Sequence, residues 1–375
     1  MGIQSASAAF SRFFVPETIT EDFWGYLDER LKAGIFKECT PEQEQSAGFS
    51  SWSDFFECSF YDISYDKGEY AAFHYRQDQR SVPSVVVKQH VREAIQKYRM
   101  ENNGKWPPRQ ERLKIQEEVQ SWLLGRALPQ PSACEVVWNP AHKWLLLGST
   151  SLKVIDAFLE VFEQHFHLYP IPLFHANWAL HKLLLDDRQK DVIHALVSVK
   201  SPQALAQGRF LGCEFLTWLW FFSERSKEKI LLSDEKDAEL HLGERMVLSL
   251  PDNGKERVIC TTQDNALYEA RTALQQGKLV QEMQLFLRVG ENEYTFTLDA
   301  TLWTVKGLKT PKQLPSEGPD DDEDGAFLEK MYFLEEVFAA LDWLYTKFLT
   351  ERLGSGWESD ALPLLKDWIG GKAPA

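Results

Sequence analysis

The feature that most constrains the fold is a pair of alternating segments near residue 290. Apolar and polar residues alternate along 279–289 and again along 293–299, with Gly290-Glu-Asn292 between them. A period of two places one set of side chains on one face of a strand, and a short Gly-containing connection turns the chain back on itself. Such an antiparallel hairpin is only marginally stable alone and must bury its apolar face against further strands or helices. A second hairpin is expected where Cys134-Glu-Val-Val-Trp138 and Trp144-Leu-Leu-Leu-Gly148 flank Asn139-Pro-Ala-His-Lys143. Helical patterns lie between these hairpins, so the fold class expected is α+β.

A strand is expected at 8–15, ended by Pro16, followed by a helix capped by Thr20 with Phe23, Tyr26, Leu27 and Leu31 as its apolar stripe. Residues 48–54 read as a turn, with strands at 55–62 and 69–75. Residues 84–126 read as two helices broken at Asn102-Asn-Gly-Lys-Trp-Pro-Pro108, because paired prolines cannot sit inside a helix. Val85, Val91, Ile95 and Tyr98 repeat on the first, and Leu113, Ile115, Val119, Trp122 and Leu123 on the second. Ser149 or Thr150 caps a helix carrying Val154, Phe158, Val161, Phe162 and Phe166, and a strand follows at 168–174. Beyond it come a helix at 177–185, a buried aromatic element at 210–222, strands at 229–232 and 246–250, and a tight turn at Asp252-Asn-Gly254. A helix at 264–276 ends at Gly277, and a long amphipathic helix covers 326–351.

The organisation expected is an N-terminal α/β unit (1–83), a basic helical pair (84–128), a second α/β unit (129–175) and an enlarged aromatic-rich segment (176–255). A C-terminal hairpin and helix (256–351) with an acidic linker at 315–325, and a tail (352–375), complete it. Several small mixed sheets with packed helices would result.

Hydrophobic residues make up 44% of the 375, which is the composition of a globular chain. The five cysteines are widely spaced without a CxxC pair, which argues for reduced thiols rather than a disulfide framework or zinc ribbon. The most apolar stretch, 210–222, is too short to span a bilayer and contains Glu214, and no secretory signal pattern is present. A cytoplasmic protein without a membrane partner is expected.

Net charge decides more when it is divided. The chain carries −15 overall. Residues 84–126 hold nine Lys and Arg against five Glu, a local +4, which leaves −19 for the remainder. Lys88, Arg92 and Arg99 share one helical face, and Arg109 and Arg112 stand three apart on the second helix. A row of cations of this kind suits the phosphates of a duplex, whose bound counterions it would release. A solvated charged face is the commoner origin of such a row. No zinc finger, homeodomain or RNA-binding signature accompanies it, so any nucleic-acid binding should be independent of sequence.

Catalytic patterns are not found. His165, His167, His175 and His181 cluster beside Glu163, but His165-Phe-His167 straddles a helix end and no HExxH occurs, so ordinary histidines are expected rather than metal ligands. Asp186 with Asp187, and the run 320–324, are the only acidic groupings that invite comparison with a two-metal nuclease, and the second lies in a Gly/Pro-rich linker that cannot hold such geometry. Gly208-Arg-Phe-Leu-Gly212 lacks the Lys-Ser/Thr of a phosphate-binding loop, and Gly354-Ser-Gly356 follows a helix as a cap would. Trp218 and Trp220 could stack on bases, though a core position suits so apolar a run better. Neither an enzyme nor a cofactor is expected.

Ser84-Val-Val-Val-Lys-Gln89, the charged helices after it, and Val119-Gln-Ser-Trp-Leu-Leu-Gly-Arg-Ala-Leu128 resemble the corresponding stretch of the RdgC family of recombination-associated proteins. The N-terminal strand and helix, Gly48-Phe-Ser-Ser-Trp52, the Trp138 hairpin, and Tyr169-Pro-Ile-Pro-Leu173 are similar in order and spacing. So are Val258-Ile259, Gln263-Asp264, Gly277-Lys-Leu-Val280 and the closing helix. The resemblance covers roughly 10–175 and 256–350. It implies a ring-shaped homodimer with a positively lined hole for double-stranded DNA, located at the nucleoid, that modulates homologous recombination by restraining a RecA-type recombinase. It makes Lys88, Arg92, Lys97, Arg99, Arg109, Arg112, Lys114 and Arg126 the phosphate-binding candidates, Gln263 a residue of the ring's gate and Leu128 a dimer contact.

Three positions depart from the family pattern. Leu128 stands where the family has Phe, Thr262-Gln263 replaces a Lys-Gln pair and so lacks one cation, and 176–255 is longer than its counterpart. A protein-interaction module that kept the fold without binding DNA, and a metal-dependent exonuclease, are the alternative readings.

Overall fold

The computed structural model of the chain describes residues 2–19, 22–40, 43–61, 64–173, 176–197, 202–225, 230–232, 237–250, 256–261, 263–300, 304–311 and 323–371. In chain order the elements are β1 (Ala8–Phe14), α1 (Phe23–Ala33), β2 (Gln45–Ser50), β3 (Asp66–Lys67), β4 (Tyr70–Arg80), α2 (Ser84–Glu101), α3 (Arg109–Leu124), β5 (Pro129–Asn139) and β6 (Trp144–Leu147). They continue as α4 (Leu152–Phe166), β7 (Ile171–Pro172), α5 (Ala176–Lys182), α6 (Asp187–Val197), α7 (Pro202–Arg225), β8 (Ile230–Leu231) and β9 (Asp237–Ser249). The last are β10 (Arg257–Cys260), α8 (Gln263–Gln275), β11 (Leu279–Val289), β12 (Asn292–Asp299), β13 (Thr304–Lys309), α9 (Glu323–Leu353) and α10 (Leu362–Ile369).

The fold is α+β, but the several small mixed sheets expected from sequence are one sheet of 13 strands. Its order is β10-β9-β11-β12-β13-β1-β6-β5-β4-β2, with β3 on β4, β7 on β1 and β8 on β9. Among the described residues, every pairing between these strands is antiparallel. Strand β1 is the reason for the fusion. One edge takes β13 (Ala8 opposite Leu308) and the other takes β6 (Phe14 opposite Trp144), so the two hairpin regions become halves of a single sheet.

Around β1 the sheet is covered on both faces. Phe10 and Phe14 of β1, Ala72 of β4, Val137 of β5, and Trp144 and Leu146 of β6 face one core. Phe13, Phe73, Tyr75, Val136, Trp138, Leu145 and Leu147 face the other. That arrangement explains the unbroken apolar run 144–147: a strand buried on both sides has no polar face to show. Helices α1 and α4 close the second core, where Phe162 and Phe166 stack at 4.4 Å with Trp138 edge-on to both. Helices α5 to α10 close the first.

Residues 176–255 are part of the body rather than an appendage. Strand β9 pairs with β11 along most of its length, and α7 packs across β11 and α9. The aromatic run is core as expected: Trp218 donates its indole N–H to Glu351 at 2.9 Å, and Trp220 to Glu224 at 2.7 Å. Glu214, half-buried in this layer, pairs with Arg352 at 2.9 Å, while its partial burial pushes its carboxyl above the ordinary range.

Local expectations need correction in places. Asp22 caps α1 through the Trp24 and Gly25 N–H groups, and Thr20 lies outside the described residues. Residues 55–61 form no strand. The strand lies earlier, as β2, across the Gly48 segment read as a turn. Gly48 is there because a Cβ would meet the Phe36 backbone at 2.6 Å, so a residue that signals a turn here permits a close approach. Strand β4 runs on to Arg80, and the strand expected at 168–174 shrinks to Ile171–Pro172. Ser151 occupies the α4 N-cap, one or two residues later than expected. The turn at 252–254 and residues 315–322 lie outside the described residues, and 323–325 already belong to α9. The tail beginning at 352 is not one: Trp357, Leu365 and Trp368 are buried, and Trp368 donates to Glu224 at 2.7 Å.

The α6 start was not anticipated, and Asp186 supplies it. The Asp186 carboxylate accepts the Gln189 N–H at 2.7 Å, and the Gln189 side-chain oxygen accepts the Asp186 N–H at 3.0 Å. These reciprocal bonds satisfy two amides that the helix leaves open. Asp186→Ala is expected to cost about 1 kcal/mol, read as a lower urea midpoint at unchanged slope.

Candidate nucleic-acid interface

Strands β4 and β5 pair without interruption from Ala71 opposite Trp138 to Arg80 opposite Pro129. Everything between, residues 81–128, is inserted at the end of that ladder as α2, a turn and α3. Pro83 and Pro108 stand at the two N-cap positions with φ near −55°, each ending one run of chain and presetting the next helix. The reversal uses Asn103 (φ 53°) and Gly104 (φ 81°), the backbone region these two residue types tolerate best.

The helices pack on each other. Val87, Val91, Ala94, Ile95 and Tyr98 of α2 and Ile115, Val119 and Leu123 of α3 are half-buried at helical spacing. No residue of either helix is fully buried, and neither makes comparable contact with another element. The pair is an arm, roughly 27 Å long at about 1.5 Å per residue, that stands off the body. Arg80 holds its base, donating to the carbonyls of Ala127, Cys39 and Thr40.

Lys88, Arg92, Lys97, Arg109 and Arg112 are exposed on this arm and form no ion pair among the described residues. Lys88 and Arg92 share a face. Lys97, nine residues from Lys88, lies about half a turn round the helix, so the cations surround the arm rather than forming one stripe. Arg99 belongs to the Lys88 face by spacing, but its guanidinium lies over Trp106 at 4.5 Å and donates to the Gly104 carbonyl at 3.3 Å. Arg126 lies over Trp122 at 4.0 Å, and Lys114 approaches Glu118 at 3.9 Å. Gln263 is not brought near the others. It opens α8, which packs on β9 and β10 at the opposite end of the strand order from β4 and β5. Thr262 lies outside the described residues.

The arm also exposes apolar side chains. Val85, Met100, Trp106, Leu113, Trp122 and Leu128 all face solvent, Met100 at 83% and Leu128 at 84% of their full accessible area. Of these, Leu128 was expected to be a contact. Met100 and Trp106 were missed, although a Trp in a polar turn before Pro107-Pro108 is a visible signal.

The other sequence candidates are used structurally or lie apart. Among the described residues, no group of three or more His, Cys, Asp or Glu side chains could hold a metal ion. His165 packs edge-on to Phe49, and burial holds its pKa below the usual value; His181 lies against Phe14, and His175 is outside the described residues. Asp324 pairs with Lys67 in the first turn of α9. The five cysteines are free thiols.

Residues 17–186 match the family model described as "RdgC: Putative exonuclease, RdgC". This part of the chain is similar to the RdgC family. The RdgC span takes in the whole arm, α1, α4, α5 and β2 to β7, and ends at the residue that caps α6. It stops short of the C-terminal half, so the similarity at 256–350 rests on the residues quoted for it. The match over 17–186 is consistent with a recombination-related role. No curated protein matches the chain. Among the described residues, no helix is long and apolar enough to cross a membrane.

Proposed function

We propose that the chain binds double-stranded DNA without sequence preference, as a ring-shaped homodimer, and thereby modulates homologous recombination by restraining a RecA-type recombinase. The observation that carries this reading is the arm. Lys88, Arg92, Lys97, Arg109 and Arg112 form no ion pair among the described residues, and the arm projects from a body whose net charge is strongly negative. Phosphates attract the arm, whereas the acidic remainder repels them, so a duplex is directed to one surface.

The ring is supported by the placement of the two contact candidates. Leu128 lies at the base of the arm beyond β5, and Gln263 opens α8 beside β10. Seven strand spacings separate β5 from β10 in the sheet, roughly 34 Å at about 4.8 Å each. Two copies meeting at both ends would enclose a hole, and a two-fold axis makes each contact self-complementary. The uncovered apolar residues of the arm supply one such contact. The protein would act in the cytoplasm at the nucleoid, with recombination proteins as further partners.

We propose no catalysis. The exonuclease of the family description would need carboxylates gathered around metal ions; of the acidic residues singled out in the sequence, Asp186 caps a helix and Asp324 neutralises Lys67, while 320–322 lie outside the described residues. The exposed apolar residues favour a second reading, a module that docks protein and not DNA. Fluorescence anisotropy with a random-sequence duplex, across salt concentrations and with light scattering for mass, separates these. Salt-sensitive binding by a dimer supports the ring, no binding at low salt leaves the docking module, and duplex cleavage with Mg²⁺ or Mn²⁺ overturns the non-catalytic reading.

A further inference from the structure

The exposed apolar residues of the arm fall into two groups. Val85, Trp122 and Leu128 stand at its base, beside the dimer contact. Met100 and Trp106 stand at its tip, roughly 22 Å farther along α2 at about 1.5 Å per residue. Trp106 is 65% exposed, the most exposed tryptophan among the described residues, whereas seven others are no more than 8% exposed. The chain thus spends most of its indoles on core and holds this one in water.

The tip fixes the ring in place. The Gly104 N–H donates to the Arg99 carbonyl at 2.7 Å, and the Lys105 N–H to that of Asn102 at 3.1 Å. The Asn102 side chain donates to the Tyr98 carbonyl at 2.8 Å, and Pro107, next after Trp106, is buried. The Arg99 guanidinium lies over the indole at 4.5 Å while it donates to the Gly104 carbonyl at 3.3 Å. One face of the ring is therefore taken, and the exposure that remains belongs to the other face and the edge.

Charge says what that face can meet. Residues 97–112 carry Lys97, Arg99, Lys105, Arg109 and Arg112 against Glu101 and Glu111, five minus two, a local +3. Lys97, Lys105, Arg109 and Arg112 are exposed and form no ion pair among the described residues. A flat apolar face set among free cations is matched by a partner that offers flat rings among anions. Nucleic acid with an unpaired base is such a partner, and a fully paired duplex, whose base faces are hidden in the stack, is not.

We propose that the tip is a stacking site for an unpaired base, so that the arm favours duplex DNA carrying an unpaired nucleotide over duplex that is fully paired. The base lies on the free face of Trp106, and Lys105 and Arg109 take the flanking phosphates. Stacking on an aromatic ring tolerates any base, so the preference is for structure and not for sequence. The proposal rests on the DNA reading above and adds a selectivity to it.

Fluorescence anisotropy with two duplexes of the same length and sequence tests this, one fully paired and one with a single unpaired nucleotide at its centre. The result expected is about tenfold tighter binding of the second, within what one base stacked on an aromatic ring contributes. That ratio should fall to near one in Trp106→Ala and stay near the parent's in Trp106→Phe, which keeps a ring. Because the ratio compares two duplexes on one protein, a change in overall affinity or in dimer mass cancels. With 2-aminopurine as the unpaired base, binding should quench its fluorescence in the parent and not in Trp106→Ala. Equal affinity for the two duplexes in the parent, or a preference that Trp106→Ala keeps, would overturn the proposal and leave the tip to a protein partner. Binding to both duplexes alike removes the tip alone, whereas binding to neither removes it together with the DNA reading.

Discussion

Replacing Lys88, Arg92, Arg109 and Arg112 with alanine together is expected to weaken duplex binding by about a hundredfold or more at low salt, equally for all sequences. Each cation seated on a phosphate adds about 0.9 to the slope of log affinity against log salt. Four lost contacts should therefore flatten that slope by about 3.6. None of the four side chains is buried, and none is ion-paired among the described residues, so the variant should fold and melt like the parent. Anisotropy titrations at four or five salt concentrations measure both quantities. A loss confined to one sequence would contradict phosphate binding, because phosphate contacts carry no sequence information. An unchanged slope would move the interface off the arm.

The largest stability effect is expected at Phe166. Its ring stacks on Phe162 at 4.4 Å and Phe73 at 6.3 Å, and meets Phe49 and Trp138 edge-on at 5.5 and 5.8 Å. It is 1% exposed at the last position of α4, where it joins the helix to β2, β4 and β5. Phe166→Ala should cost about 3–5 kcal/mol, the sum of lost burial and the cavity left among rigid rings. The α4 backbone cannot easily collapse into that space, because His167 follows in the left-handed conformation (φ 54°) and leads into a chain tied to β1 through β7. Equilibrium urea unfolding of parent and variant reads the difference. A loss below about 1 kcal/mol would mean that the rings repack, contrary to the close packing argued here.

The elements that were legible in the sequence are those whose pattern is local. The β11–β12 hairpin, the β5–β6 hairpin and the break between α2 and α3 follow from alternation, turn residues and paired prolines within a few positions. What was not legible depends on partners far along the chain. Nothing near Ala8 announces that Leu308 pairs with it, so one sheet was read as several. Strand β2 has weak strand residues, Gln-Ser-Ala-Gly-Phe-Ser, and exists because β4 offers an edge. Asp186 carried a chemical suspicion because its cap partner, Gln189, is recognisable only once a helix is known to begin there. In the candidate interface, the cations were visible as composition. The stacking of Arg99 on Trp106, which turns one of them toward the arm's own tip, was not.

The insertion of the arm into one ladder also fixes how the molecule carries load. Any pull on the arm's tip reaches the body through β4 and β5 at the same end, Arg80 and Pro129. Because the arm joins the two strands at this end, a pull at its tip draws both the same way, and the load passes to the ladders that flank them, β2 on β4 and β6 on β5. The bonds from Arg80 to Ala127, Cys39 and Thr40 act as a rivet at the first rung. Load on the arm therefore meets the body first at Arg80, which ties the end of β4 both to the arm's base and to residues 39–40.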